Sequence, residues 1–121
     1  MQFDIPATNE IPHVSFKNGV MKIVGRSIPF DSSLVYNPIL KSLFDYSQRP
    51  NNITEIHINL EYLNSDSNRS LMSILTFAEK IFQSGNQVEV KWIYDDDMMY
   101  EHGTIFQSLL DLPVSLIPGK N

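Results

Sequence analysis

Apolar and polar residues alternate with a period of two in some stretches of the chain and recur every three to four residues in others. Val14 and Phe16 alternate with His13, Ser15 and Lys17. Asn18-Gly19 follows, the pair that a type I′ turn favours because both central residues take positive φ. Met21 and Ile23 then return opposite Lys22 and Val24, which predicts a β-hairpin ending near Gly25. Residues 26–33 read as a loop holding Pro29. Asn37-Pro38 reads as a helix start, since Asn is a good cap and Pro suits the first helical position, where its missing N–H costs nothing. Ile39, Leu40, Leu43 and Phe44 follow at helical spacing, and Arg49-Pro50-Asn51-Asn52 ends the unit.

Over residues 55–63, Ile56, Ile58, Leu60 and Tyr62 face one way and Glu55, His57, Asn59 and Glu61 the other, the signature of a half-buried strand. Asn64-Ser65-Asp66-Ser67 is a cluster of helix-capping residues. The helix after it carries Leu71, Leu75, Ala78 and Phe82 on one stripe, with Met72, Ile74 and Ile81 beside it, and Gly85 suits its C-terminal stop. Val88, Val90, Trp92 and Tyr94 alternate again. Asp95-Asp96-Asp97 precedes a helical pattern over 98–110, Pro113 stops it, and residues 114–117 read as a last strand. The predicted order is β-hairpin, α, β, α, β, α, β. A sheet covered on both faces carries near-continuous apolar strands. These strands alternate, so the expectation is a mixed sheet with helices mainly on one face and a wet second face. No G-x-G-x-x-G or G-x-x-x-x-G-K-[ST] occurs.

Composition narrows the classes. The 121 residues make one domain, 1–121, and residues 1–11, polar and broken by Pro6, are expected to be a loosely held arm. A chain of this length buries roughly two thirds of its unfolded surface, so it needs no staple. With no cysteine there is no disulfide framework, thiolate nucleophile or zinc–thiolate site. A net charge of −5 argues against a nucleic-acid binder and against an anionic-membrane binder. The start lacks the basic and apolar runs of a secretory leader, and no stretch approaches the ~18 apolar residues of a membrane span, so the expected compartment is the cytoplasm.

Catalytic chemistry finds little footing. His13, His57 and His102 are far apart in sequence. Glu55, His57 and Glu61 have ligand chemistry, yet their spacing is that of a solvated strand face. Asp95, Asp96 and Asp97, with Glu101 a turn later, have Mg²⁺-binding chemistry, but carboxylates ahead of a helix more often satisfy its first N–H groups and dipole. There is no G-x-S-x-G elbow. Trp92, Tyr94 and Phe82 fall at core periodicity. No catalytic residue, metal or cofactor is expected.

The segment from Tyr62 to Arg69 lies where a strand passes into a helix. A hydroxyl there sits at the positive end of the helix among backbone donors, and a phosphate on it is stabilised by both. Arg69 is four residues after Ser65, within reach of that first turn. The commoner meaning of such a serine is a cap, worth ~1 kcal/mol.

Four pieces shift that balance: Gly25-Arg26-Ser27-Ile28-Pro29, Leu60-Glu61-Tyr62-Leu63-Asn64-Ser65, the run from Ser84 through Val88, Val90 and Trp92 to Tyr94, and Leu112-Pro113 near the end. With them the chain resembles the SiaC family of bacterial regulatory phosphoproteins, and more distantly the STAS fold of SpoIIAA-like anti-sigma-factor antagonists. The resemblance implies an α/β, STAS-like single domain without catalysis of its own. It implies a phospho-acceptor at Ser65, where the family usually has Thr, with Asn64, Asp66, Ser67 and Arg69 forming the phosphate environment and recognition loop. It implies a GHKL-type Ser/Thr kinase, a PP2C-type phosphatase, and a GGDEF diguanylate cyclase activated by the unphosphorylated form, hence cyclic di-GMP signalling and biofilm or aggregation. Asp66 departs from the family's Ser or Thr and places a carboxylate beside the acceptor, and Ser67 is a second hydroxyl nearby. The alternative is a constitutive partner-binding scaffold, or an anti-sigma-antagonist-like module, with no phosphate cycle.

Overall fold

The computed structural model describes residues 2–119. The elements run β1 (Phe3–Ile5), β2 (His13–Lys17), β3 (Val20–Ser27), α1 (Ser32–Ser47), β4 (Ile53–Leu63), α2 (Ser65–Gln83), β5 (Gln87–Tyr94), α3 (Asp97–Leu109) and β6 (Val114–Pro118). They form one six-stranded sheet in the order β1-β2-β3-β4-β5-β6. The first three strands are antiparallel and β3 to β6 are parallel. Asn18 and Gly19 make the hairpin turn with φ of 53° and 79°.

Each crossover, β3-α1-β4, β4-α2-β5 and β5-α3-β6, moves one strand in the same direction. Right-handed connections then lay every helix over the same face. Burial follows that logic: Val14, Phe16, Met21, Ile23, Ile56, Ile58, Leu60, Val88, Val90 and Trp92 are each at most 1% exposed. On the opposite face Glu55 Oε1 lies 2.8 Å from His57 Nε2 and 3.2 Å from Lys91 Nζ. The His57 hydrogen bond first, and Lys91 next, hold the Glu55 carboxyl below its ordinary value. Among the described residues no group of three or more His, Asp or Glu is arranged to hold a metal. Among the described residues no helix is long and apolar enough to cross a membrane. The result is one mixed α/β domain, compatible with the STAS-like expectation.

Three local expectations need correction. First, the N-terminal arm is not loose throughout. Phe3 pairs with Phe16 and Ile5 with Val14, so β1 extends the sheet. The Asp4 and His13 side chains are hydrogen-bonded, and Ile28 N–H donates to Glu10 O at 2.9 Å. Second, α1 begins at Ser32, not at Asn37-Pro38. Asp31 is its cap, accepting from Ser33 N at 3.0 Å. Pro38 sits inside the helix on its solvent side. The buried contacts of Ser32 and Tyr36, described below, outweigh the one backbone hydrogen bond that proline removes. Third, β3 does not stop near Gly25. It shifts register between Gly25 and Arg26 and continues to Ser27. There Tyr62 leaves the core stripe and is 55% exposed, with the Arg26 guanidinium 4.9 Å above its ring.

At the other end of the sheet, Trp92 Nε1 donates to Met99 O at 2.7 Å and its ring lies 5.1 Å from that of Phe106. Gly103 is buried against Trp92 and Leu116. A Cβ at Gly103 falls only 2.8 Å from Leu116 Cδ2, so only glycine lets α3 approach β5 and β6 this closely.

Candidate functional site

The β4–α2 junction lies at the C-terminal edge of the parallel strands, where the polypeptide leaves Leu63 and turns into α2. Asn64 makes the turn. Its φ of −83° and ψ of 170° are extended, and its side-chain oxygen accepts from Ser67 N at 2.8 Å. Its Nδ2 donates to Pro29 O at 3.1 Å and its backbone N–H donates to Ser27 O, also at 3.1 Å. Asn64 is therefore the N-cap, and Ser65, Asp66 and Ser67 are the first three helical residues.

The serines have opposite fates. Ser67 is fully buried, and its Oγ accepts from Ser27 Oγ at 2.8 Å. Ser27 Oγ is in turn 2.5 Å from Tyr36 Oη. Since the single hydroxyl hydrogen of Ser27 goes to Ser67, Tyr36 donates to Ser27. Burial pushes the Tyr36 phenol up to about 12, partly opposed by the Ser27 hydrogen bond, so it stays a protonated donor. Ser65, by contrast, is exposed, and its side chain makes no hydrogen bond to another described residue.

Asp66 reaches toward α1 with its side chain still partly exposed. Its Oδ2 accepts from Ser32 N–H at 2.8 Å and its Oδ1 from Arg69 Nη2 at 3.0 Å. Ser32 Oγ donates to Asp66 O at 3.0 Å and is 2.6 Å from Ser70 Oγ. The Ser32 backbone bond foremost, then the Ser32 side chain and Arg69, hold the Asp66 carboxyl below its ordinary value. One carboxylate thus serves the open first turns of α1 and α2 together.

Ser65 opens into a cleft of about 380 Å³ lined by Leu63, Asn64, Ser65, Asn68, Arg69 and His102. A second, more apolar groove of about 340 Å³ adjoins it across Leu63, Asn64 and His102, and extends to Arg26, Ile28, Tyr62 and Met98. Arg26 Nε is buried there without a hydrogen-bond partner. The sequence reading set Asn64, Ser65, Asp66, Ser67 and Arg69 around one loop; of these, Asn64, Ser65 and Arg69 line the cleft, whereas Asp66 reaches to α1 and Ser67 is buried against Ser27. That reading missed His102 and Arg26. The helical spacing of His102 four residues after Met98 is the one local signal that places both on the same side of α3. The acidic run ahead of α3 is structural: Asp96 caps the helix through Met99 N at 2.8 Å, and Asp95 accepts from Asn59 Nδ2 at 3.0 Å.

Comparison with known proteins agrees with this architecture. The family model "SiaC family regulatory phosphoprotein" matches residues 5–119. An uncharacterised protein of Pseudomonas aeruginosa (strain UCBPP-PA14) is 31% identical over 97 residues, 75% of this chain and 74% of that protein. Apo-SiaC from P. aeruginosa superposes with a TM-score of 0.90 at 24% identity, covering 97% of this chain and 98% of that one. A crystal structure of the diguanylate cyclase SiaD in complex with its activator SiaC, also from P. aeruginosa, matches with a TM-score of 0.89 at 23% identity, over 97% of this chain and 99% of that one.

Proposed function

The chain belongs to the SiaC family of regulatory phosphoproteins, and from that premise we propose that it is a non-catalytic switch whose state is set by phosphorylation of Ser65. The observation that carries this is the contrast at the junction. Ser65 presents a solvent-facing hydroxyl in a cleft beside Arg69, while Asp66 and Ser67 are tied into the fold. A GHKL-type kinase transfers the γ-phosphoryl of ATP to Ser65 Oγ, releasing ADP and a proton, and a PP2C-type phosphatase hydrolyses the ester. A phosphate there adds about −1.5 to −2 charges at the start of α2, next to the apolar groove. The unphosphorylated form binds and activates a diguanylate cyclase in the cytoplasm, as SiaC is the activator of SiaD in the related complex. The alternative of a constitutive scaffold drew on Asp66 as a standing negative charge. Asp66 directs one oxygen to the Ser32 N–H of α1 and does not line the Ser65 cleft, which favours the switch over that scaffold.

Intact-protein mass spectrometry after incubation with ATP and the cognate kinase tests this. One phosphate is expected on the parent chain and none on Ser65→Ala, which keeps binding the cyclase. Normal phosphorylation of Ser65→Ala refutes the acceptor assignment.

A further inference from the structure

We infer that the phosphate on Ser65 is held across the cleft by His102 of α3 together with Arg69 of α2, so that phosphorylation ties the start of α2 to α3. This rests on the Ser65 reading above and adds a residue to it. His102 is half-buried, lines the same cleft as Ser65, Asn68 and Arg69, and makes no hydrogen bond or ion pair with any described residue. Its ring therefore brings a donor to the cleft that the unmodified protein does not use. Arg69 is available as well. Its partner, Asp66, holds it by a single 3.0 Å contact, and the guanidinium side chain is 74% exposed. Exposed pairs of this kind are weak, whereas a phosphate monoester offers three acceptor oxygens and nearly twice the charge. Asp66 keeps its Ser32 hydrogen bond when Arg69 leaves.

The pairing is chemically matched. An imidazole has an ordinary pKa near ~6.5 and the second ionisation of a phosphoserine lies near ~6. Placed together, each stabilises the charged form of the other. The charged groups around His102 are Arg69 on α2, Arg26 on β3, Glu61 on β4 and Glu101 on its own helix. In the unmodified chain none is joined to it, so the added phosphate becomes its first ionic partner. The clamp is also pre-positioned. Gly103, the next residue, seats α3 against Trp92 and Leu116, so the His102 backbone cannot drift from the cleft wall.

The test installs phosphoserine at position 65 during translation, which needs no kinase. The imidazole titrations are then followed by long-range ¹H–¹⁵N NMR, with His13 and His57 as internal references, and the phosphate by ³¹P NMR. The His102 pKa is expected to rise by about 0.5 or more, roughly a threefold change in its proton affinity, while His13 and His57 hold. The ³¹P titration moves to lower pH and returns part of the way in His102→Asn and in Arg69→Gln, both checked for an unchanged melting transition. A His102 titration that is indifferent to phosphoserine at 65 overturns the clamp. The two failures are distinguishable: a kinase that leaves Ser65 unmodified removes the switch reading, whatever the encoded phosphoserine does to His102.

Discussion

Replacing Gly103 with alanine puts a methyl group where α3 meets the sheet. The new Cβ falls well inside contact distance of Trp92 Cδ1 and 2.8 Å from both Leu116 Cδ2 and Trp92 Nε1. Carbon atoms pack best at ~3.5–4.0 Å, so these neighbours must retreat by roughly 1 Å. Trp92 has no room to do so: it is fully buried, with Phe106 against one side and Met99 O holding its indole N–H. Overpacking of this kind costs about 1–3 kcal/mol. Losing the indole hydrogen bond with the N–H still buried adds about 1–3 kcal/mol. The better helix propensity of alanine returns about 1 kcal/mol. The net expectation is a loss of about 3 kcal/mol, or about 12 °C in Tm at roughly 4 °C per kcal/mol for a domain of this size. Trp92 is the sole tryptophan, so thermal unfolding followed by its fluorescence and by far-UV circular dichroism reads the event at its origin. A Tm within about 2 °C of the parent would refute the account of how α3 is seated.

Other perturbations separate the junction residues. Ser67→Ala leaves the Ser27 hydroxyl without its buried acceptor and should cost about 1–3 kcal/mol, whereas Ser65→Ala should stay within about 0.5 kcal/mol; equal denaturation midpoints contradict the burial argument. Asn64→Ala removes the α2 cap and the Pro29 bond, and a loss of about 1–2 kcal/mol in urea unfolding is expected. The folded-state pKa of Asp66 is depressed, so its contribution is full above the ordinary carboxylate range and is lost as pH falls through the lower folded value. Tm measured from pH 7 down to about pH 2 should therefore fall less steeply for Asp66→Asn than for the parent, and parallel curves would count against the Ser32–Asp66–Arg69 link.

Where a signal was local, sequence patterning located it. Asn18-Gly19, the alternation of β4 and β5, and Gly85, with a φ of 105°, each act within a few residues. Where distant residues decide, patterning fell short. Asn37-Pro38 is a sound local helix start, but Ser32 and Tyr36 are already held by Asp66, Ser70 and Ser27, so the helix begins a turn and more earlier. The strand β1 has no stabilising pattern of its own and exists because β2 offers it an edge. The difference between Ser65 and Ser67 depends on a hydroxyl 40 residues away. Tyr62 follows the apolar alternation, yet the shift between Gly25 and Arg26 leaves it stacked under a guanidinium instead of packed inside. His102 reaches the cleft only because α3 lies where Gly103 allows.

The sheet order also bears on how the molecule assembles. Every strand pairs with its neighbour in the chain, from β1 to β6. No strand must wait for a distant segment before it can dock, which shortens the loops closed at each step. As the chain leaves the ribosome, the hairpin, then α1–β4, then α2–β5 can add in turn to a growing edge. Of the units of this sheet α3–β6 is added after the others, and it carries His102. The wall opposite Ser65 is therefore built after the turn that carries the serine, so a nascent chain presents the Ser65 hydroxyl before it has the cleft that surrounds it.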